Sequence, residues 1–205
     1  MNNARCGCDA GIGRPRTGGL YDAARSVALL TAVLALTFSS AASAELYTDS
    51  LVSIDVPSGF QGPVSESFDS NNQTVAISKL YTDREGGTLL QITRSDLGPK
   101  LLTIPRGQLS GVAAVYLSQF LAGVERRRTN FTVSEPMTLE IDGVPAVRAE
   151  WRGEMEGVEA SGVMYCVIVQ TTVVILHTQD VIGAPRENRA SAIAAIETLR
   201  FNGQE

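Results

Sequence analysis

The sequence predicts an α+β fold, a single α/β/α sandwich in which a largely antiparallel sheet of about six to seven strands carries a helix on each face. Three observations support this class. Runs of alternating apolar and polar residues, typical of strands, recur along the chain. Two stretches instead space their apolar residues by three and four, as helices do. A central hairpin has apolar residues on both faces, and such a sheet needs cover on both.

The first strands of the domain lie before residue 96. Alternation from Leu51 stops at Pro57, which predicts a short strand ended by proline. Gln73–Tyr81 and Thr88–Ser95 predict two further strands. The turn-like segment "TDREGG" lies between them, so we expect a hairpin.

A helix is predicted from Leu109 to Arg128. Its apolar stripe consists of Leu109, Val112, Ala113, Tyr116, Phe120 and Val124. Arg126, Arg127 and Arg128 close this helix, where the helix dipole favours positive charge. A patch that binds an anionic ligand is the alternative interpretation of the three arginines.

The segment "IDGVPAVRAEWRG" predicts a tight β-hairpin around Asp142-Gly143. A two-residue turn places Ile141 opposite Val144 and Met137 opposite Arg148. Val147, Ala149 and Trp151 must then point to the other face, so both faces need cover. Two helices, one on each face, would supply it.

The last part of the domain is predicted to hold a buried strand pair and a helix. Val158–Gln170 and Thr172–Asp180 are almost continuously apolar, which is typical of central strands buried on both faces. The helix is expected from about Pro185 to Leu199, because proline suits the first turn of a helix.

The candidate binding residues of the hairpin are Arg148, Glu150 and Arg152. They share one parity of the strand, so their side chains should lie on the same face. Cross-strand charge pairing at a wet margin of the sheet explains them structurally. A binding surface there is the functional alternative, alongside the arginine triplet.

The first 44 residues have the three parts of a secretory signal peptide. Residues 1–26 carry four arginines and two aspartates, the apolar run Val27–Phe38 follows, and Ala42-Ser43-Ala44 supplies the small-residue cleavage motif. The apolar run is shorter than the roughly 20 residues that span a membrane. We expect Sec-type export, cleavage after Ala44 and no stable membrane insertion afterwards. Residues 45–205 would then form one periplasmic or secreted domain; an uncleaved anchor is the alternative.

Composition argues against several classes of function. The chain has a net charge of −5, and the part after the leader is more acidic still, so nucleic acid is not an expected partner. One cysteine, Cys166, and one histidine, His177, remain after the leader, without the ligand spacing of a metal site. Glu150, Glu154, Glu156 and Glu159 lack the pattern of a calcium-binding loop, so we interpret them as a solvated turn. No glycine-rich phosphate loop is present, and no cofactor is expected.

Catalysis by an activated nucleophile would need His177 as its base. Ser161 lacks the first glycine of a nucleophile elbow, and Cys166 lies inside an apolar run where an inert thiol is expected. A hydrogen-bonded histidine at the end of a strand is therefore the favoured interpretation of His177, and no catalytic residue is assigned.

Several stretches together resemble the PsbP-like fold superfamily. They are "VSIDVPSGF" at the start of the domain, "IDGVPAVRAEW" after the first helix, the strands up to "VVILHT", and the closing "AIAAIETLRF". The resemblance covers nearly all of residues 45–205 and rests on element order and these motifs. It implies an α/β/α sandwich around a largely antiparallel sheet. It implies no shared chemistry, because known members act mainly as accessory or binding proteins.

Taken together, the sequence predicts an exported, non-enzymatic accessory or binding protein. Its partner would be an envelope protein or a small ligand, bound at the arginine triplet or at the margin of Arg148, Glu150 and Arg152. The rival hypothesis is a small periplasmic hydrolase or transferase centred on His177.

Overall fold

The computed structural model describes residues 44–70 and 73–203. The predicted signal peptide therefore lies outside the described residues, except for Ala44.

The main sheet has eight antiparallel strands. They are β3 (Phe60–Ser70), β4 (Gln73–Asp83), β5 (Thr88–Asp96), β6 (Thr129–Val133), β7 (Met137–Ile141), β8 (Val144–Met155), β9 (Val158–Val169) and β10 (Thr172–Val181). Their order is β3-β4-β5-β10-β9-β8-β6, and β7 also pairs with β8. The predicted α+β class and largely antiparallel sheet are confirmed, with more strands than the six to seven expected.

One strand of the main sheet that the sequence did not predict is β3, which forms one edge of it. Most of its residues are exposed, and Gly62 and Pro63 interrupt its pairing with β4. An edge strand that packs little has no need of alternating apolar residues, and proline is tolerated there because one side of the strand is unpaired. This is why the pattern of alternation did not predict β3.

A second, three-stranded sheet contains β1 (Glu45–Thr48), β2 (Val52–Val56) and β11 (Arg200–Phe201), in the order β1-β2-β11. Arg94 of β5 forms an ion pair of 2.8 Å with Asp49, which ties the small sheet to the main one. Of these strands, the sequence predicted only β2.

Two helices complete the fold, α1 (Leu109–Glu125) and α2 (Arg186–Glu197). Two short 3₁₀ turns, Pro99–Thr103 and Arg106–Gln108, lead into α1. Pro185 lies one residue before α2, and α1 ends before the arginine triplet, so both helices are slightly shorter than predicted.

Two apolar clusters bury the central strands, and each helix contributes to one of them. Ala146 belongs to the cluster of α2, whereas Val147, Ala149 and Trp151 belong to the cluster of α1. Consecutive residues of a strand point to opposite faces. Apolar side chains are therefore buried on both faces of β8, as the sequence predicted.

The predicted register of the central hairpin is also confirmed. Ile141 pairs with Val144, and Met137 pairs with Arg148. Asp142 and Gly143 have φ angles of 50° and 72°, the positive values that a two-residue turn of type I′ requires at both positions.

Candidate functional site

His177 lies inside the protein rather than at an open surface. It is 6% exposed, and both of its ring nitrogens have partners. Trp151 Nε1 donates a hydrogen bond to His177 Nε2 at 3.2 Å. His177 Nδ1 lies 3.4 Å from Oε1 of Gln91, which fits a tautomer with the proton on Nδ1. Gln91 in turn donates to Ser78 Oγ at 2.8 Å, so the imidazole belongs to a chain of hydrogen-bonded polar groups.

The electrostatics of this position keep the imidazole uncharged. Burial lowers the pKa of His177 to about 3, and the positive charge of Arg128 lowers this pKa further. A general base must accept a proton near neutral pH from a group within hydrogen-bond reach. His177 has a low pKa, and its acceptor nitrogen is already occupied by the indole. The arrangement is that of a structural histidine.

A reactive thiol and a metal site are the two other kinds of chemistry to consider. The Cys166 thiol is buried, and burial raises its pKa to about 12, which keeps it protonated and unreactive. Within residues 44–70 and 73–203, no three His, Cys, Asp or Glu side chains are grouped to hold a metal ion. None of the helices in that part of the chain is long and apolar enough to cross a membrane.

The arginine triplet lies at the end of α1, and two of its members bond to that helix. Arg126 Nε donates to the carbonyl of Ala122 at 3.1 Å, and Arg128 donates to the carbonyl of Val124 at 3.0 Å. These bonds satisfy carbonyls of the last turn, the structural interpretation of basic residues at a helix end. Arg127 is exposed, and it is the member of the triplet whose side chain makes no such bond within residues 44–70 and 73–203.

Arg128 also packs against the apolar core. Its guanidinium lies 4.4 Å from the centre of the Trp151 ring and donates to Gln179 Oε1 at 2.6 Å. Burial and the charge of Arg127 lower the pKa of Arg128. Arg128 therefore covers the only tryptophan of the chain and is not free to bind a ligand.

Arg148 and Glu150 lie on the predicted face and are paired with each other. They form an ion pair of 2.6 Å along β8, and Arg148 also approaches Glu197 of α2 at 3.7 Å. Tyr165 donates a hydrogen bond to Glu197 at 3.0 Å and lies beneath the Arg148 guanidinium. The charge pairing that we expected across strands thus runs along β8 and to α2.

Arg152 is separated from this pair and lines a groove of about 520 Å³. We call it the terminal groove, because it lies where β8 and β9 approach their connecting turn and where α2 begins. Its polar lining includes Asn130, Arg152, Glu154, Glu159, Ser161 and Arg186. The sequence predicted one of these residues, Arg152, as a binding residue.

Some polar groups of the terminal groove are bonded within the protein. Asn130 donates to Glu154 at 3.0 Å, and Arg189 donates to Ser161 Oγ at 2.7 Å. Arg189 also lies 3.2 Å from Asp180, whose Oδ1 accepts no well-aligned hydrogen bond. Burial raises the pKa of Asp180, while Arg189 opposes this shift.

Two cations of the groove have no ion-pair partner among the described residues. Among residues 44–70 and 73–203, neither Arg152 nor Arg186 forms an ion pair. Arg186 is the first residue of α2, where the helix dipole disfavours a positive charge. Glu154 pairs directly with Glu159 across β8 and β9, and like charges in that position repel. A cation at the start of a helix and two glutamates on facing strand positions are both locally unfavourable. This is the signal that could have indicated the groove from the sequence.

Comparison with solved structures identifies the type of fold. Cyanobacterial PsbP (CyanoP) from Synechocystis sp. PCC 6803 is similar with a TM-score of 0.54 and 10% identity, over 78% of this chain and 93% of that chain. A Pseudomonas aeruginosa protein of unknown function has a TM-score of 0.45 and 16% identity, over 79% and 99% of the two chains. LpqN of Mycobacterium tuberculosis, involved in cell envelope biogenesis, has a TM-score of 0.39 and 12% identity, over 74% and 83%. No protein-family model and no curated protein matches the sequence. The fold is PsbP-like, as the sequence resemblance implied.

Proposed function

We propose that this PsbP-like chain is an exported accessory protein that acts by binding a partner at the terminal groove, without chemical turnover. The observation that carries the proposal is the contrast between its single histidine and its groove. His177 is buried with both nitrogens engaged, whereas Arg152 and Arg186 face an open cavity without ion-pair partners among the described residues.

The size of the groove supports this proposal. A volume of about 520 Å³ lies within the range of roughly 300–1,000 Å³ that is typical of sites for small ligands. Such a site can equally receive a few residues of a larger envelope protein. Arginine is enriched where proteins recognise partners, because its guanidinium donates several hydrogen bonds in a fixed geometry.

The experiment is capture of partners from the native periplasm by the exported protein. We expect a partner that is retained by the wild type and lost when Arg152 and Arg186 are both changed to Glu. The matched control changes Arg126 and Arg127 to Glu, because these arginines lie at the end of α1 and do not line the groove. Loss with the control variant alone would assign binding to the arginine triplet instead.

Turnover is tested separately with esterase, phosphatase and glycosidase substrates. The proposal expects no activity that depends on His177. The variant His177→Gln retains hydrogen-bonding groups at the buried position and is the appropriate probe. Robust turnover that this variant abolishes, with its thermal unfolding unchanged, would contradict the proposal and support the hydrolase or transferase hypothesis.

A further inference from the structure

Apart from Asp180, which is paired with Arg189, the charges that line the terminal groove form two sets of opposite sign. Arg152 lies in β8 and Arg186 begins α2, while Glu154 and Glu159 face each other across β8 and β9. Each set is unfavourable by itself, since Arg186 opposes the helix dipole and the two glutamates repel. A ligand with one anionic and one cationic end would relieve both conditions at once.

We propose that the terminal groove binds a short zwitterionic peptide with free ends, its carboxylate at Arg152 and Arg186 and its ammonium group between Glu154 and Glu159. This inference rests on the proposed function and names the ligand class of the same groove.

The register of the sheet gives the spacing between the two ends. Arg152 pairs with Ser161, and Glu154 pairs with Glu159 one same-face step further along the strands. Two residues of a strand span about 6.6–6.8 Å. The two residues of an extended dipeptide span roughly the same length, at about 3.3–3.6 Å each. The backbone positions of Arg152 and Glu154 are therefore separated by about the length of a dipeptide, and the groove of about 520 Å³ leaves space for its side chains.

Simpler ligands match the groove less well. An isolated anion would pair with the arginines and leave the two glutamates opposed. A metal ion would find two facing carboxylates without a third acidic, histidine or cysteine ligand among the described residues. A nucleic acid would bring phosphates against the glutamates on an acidic protein. The zwitterion is the ligand that uses all four of the charged side chains without an ion pair among the described residues.

The test titrates the exported, isotope-labelled protein with dialanine and follows its backbone amide signals by NMR. We expect saturable shifts at Arg152, Ser161 and Glu159. Acetylation of the amino end and amidation of the carboxyl end each remove one charge of the probe. Because the charged side chains are partly or fully exposed, we expect each cap to weaken binding about fivefold, the effect of roughly one surface ion pair.

Variants assign the two ends of the probe. Changing Arg152 and Arg186 to Gln should weaken dialanine binding and remove the effect of the carboxyl cap. Changing Glu154 and Glu159 to Gln should weaken it and remove the effect of the amino cap. The control variants Arg127→Gln and Glu125→Gln change charges at the end of α1, outside the groove, and should bind as the wild type does.

Three results would overturn the inference. They are no saturable binding of dialanine at millimolar concentration, equal binding of the capped probes, and binding that none of the groove variants alters. Capture of a periplasmic partner through Arg152 and Arg186 without any dialanine binding would refute the peptide ligand and leave the proposed function standing. Failure of both experiments would remove both.

Discussion

Replacing Trp151 with phenylalanine isolates one hydrogen bond of the core. The indole donates to His177 Nε2 at 3.2 Å, and both side chains are buried. Phenylalanine keeps much of the apolar bulk but removes the donor, so a buried ring nitrogen loses its partner. An unsatisfied buried acceptor costs about 1–3 kcal/mol, and the smaller ring adds a cavity. We therefore expect Trp151→Phe to lower the free energy of unfolding by about 2–4 kcal/mol. Trp151→Ala should lower it by about 3–5 kcal/mol or more.

Urea unfolding followed by far-UV circular dichroism measures these changes, because the variants remove the only tryptophan of the chain. Arg148→Ala is the control on the same strand, with its side chain on the other face. Its ion pair with the half-exposed Glu150 should contribute about 1 kcal/mol or less. A Trp151→Phe variant as stable as the wild type would refute the importance of the indole–imidazole bond. A greater loss for Arg148→Ala than for Trp151→Ala would refute the packing argument for β8.

Three further predictions concern the same scaffold. Gly162→Ala should lower the free energy of unfolding in urea by about 1–3 kcal/mol, because the new Cβ would lie 2.6 Å from the Thr178 carbonyl oxygen and 2.7 Å from the Trp151 ring. Gly111→Ala, with open space around it in α1, should raise this free energy by about 0.5–1 kcal/mol. The opposite order of the two variants would contradict this. On acidification from about pH 6.5 towards 3, His177 should lower the free energy of unfolding by up to about 1.4 kcal/mol per pH unit, because the unfolded histidine takes up a proton that folded His177, with its lowered pKa, does not. His177→Gln should remove this contribution and leave the loss at the acidic end that Asp49, with its lowered pKa, contributes. The exported protein should have the intact mass of residues 45–205; a mass that retains residues 27–44 would show that the leader is not cleaved after Ala44.

The sequence predicted the parts of the fold that depend on neighbouring residues. The Asp142-Gly143 turn sets the register of its own hairpin, and the spacing of apolar residues identifies α1 without reference to the rest of the chain. The strands β1 and β11 have four and two residues, respectively, and form only by pairing with β2. Such short strands have too few residues for a pattern, so the three-stranded sheet could not be predicted from alternation.

The candidate site was predicted only in part for a similar reason. Arg152 was identified because it lies in a conspicuous charged strand, but Arg186 reaches the groove from α2, and Glu159 reaches it from β9. Their convergence depends on the path of the chain from β10 to α2. The hydrogen-bond partners of His177 could not be predicted either, because Trp151 and Gln91 are 26 and 86 residues away in sequence.

The strand β8 links the stability of the core to the proposed site. Trp151 packs on one face with Phe131 and Arg128, and the adjacent Arg152 points to the other face, into the terminal groove. The buried indole therefore restrains the backbone that carries Arg152 and Glu154. A site held on a packed strand loses little conformational freedom when a ligand binds, which favours recognition by few charges. The proposed function thus assigns the single histidine to the scaffold, and the contacts with a partner to exposed charges at the end of the sheet.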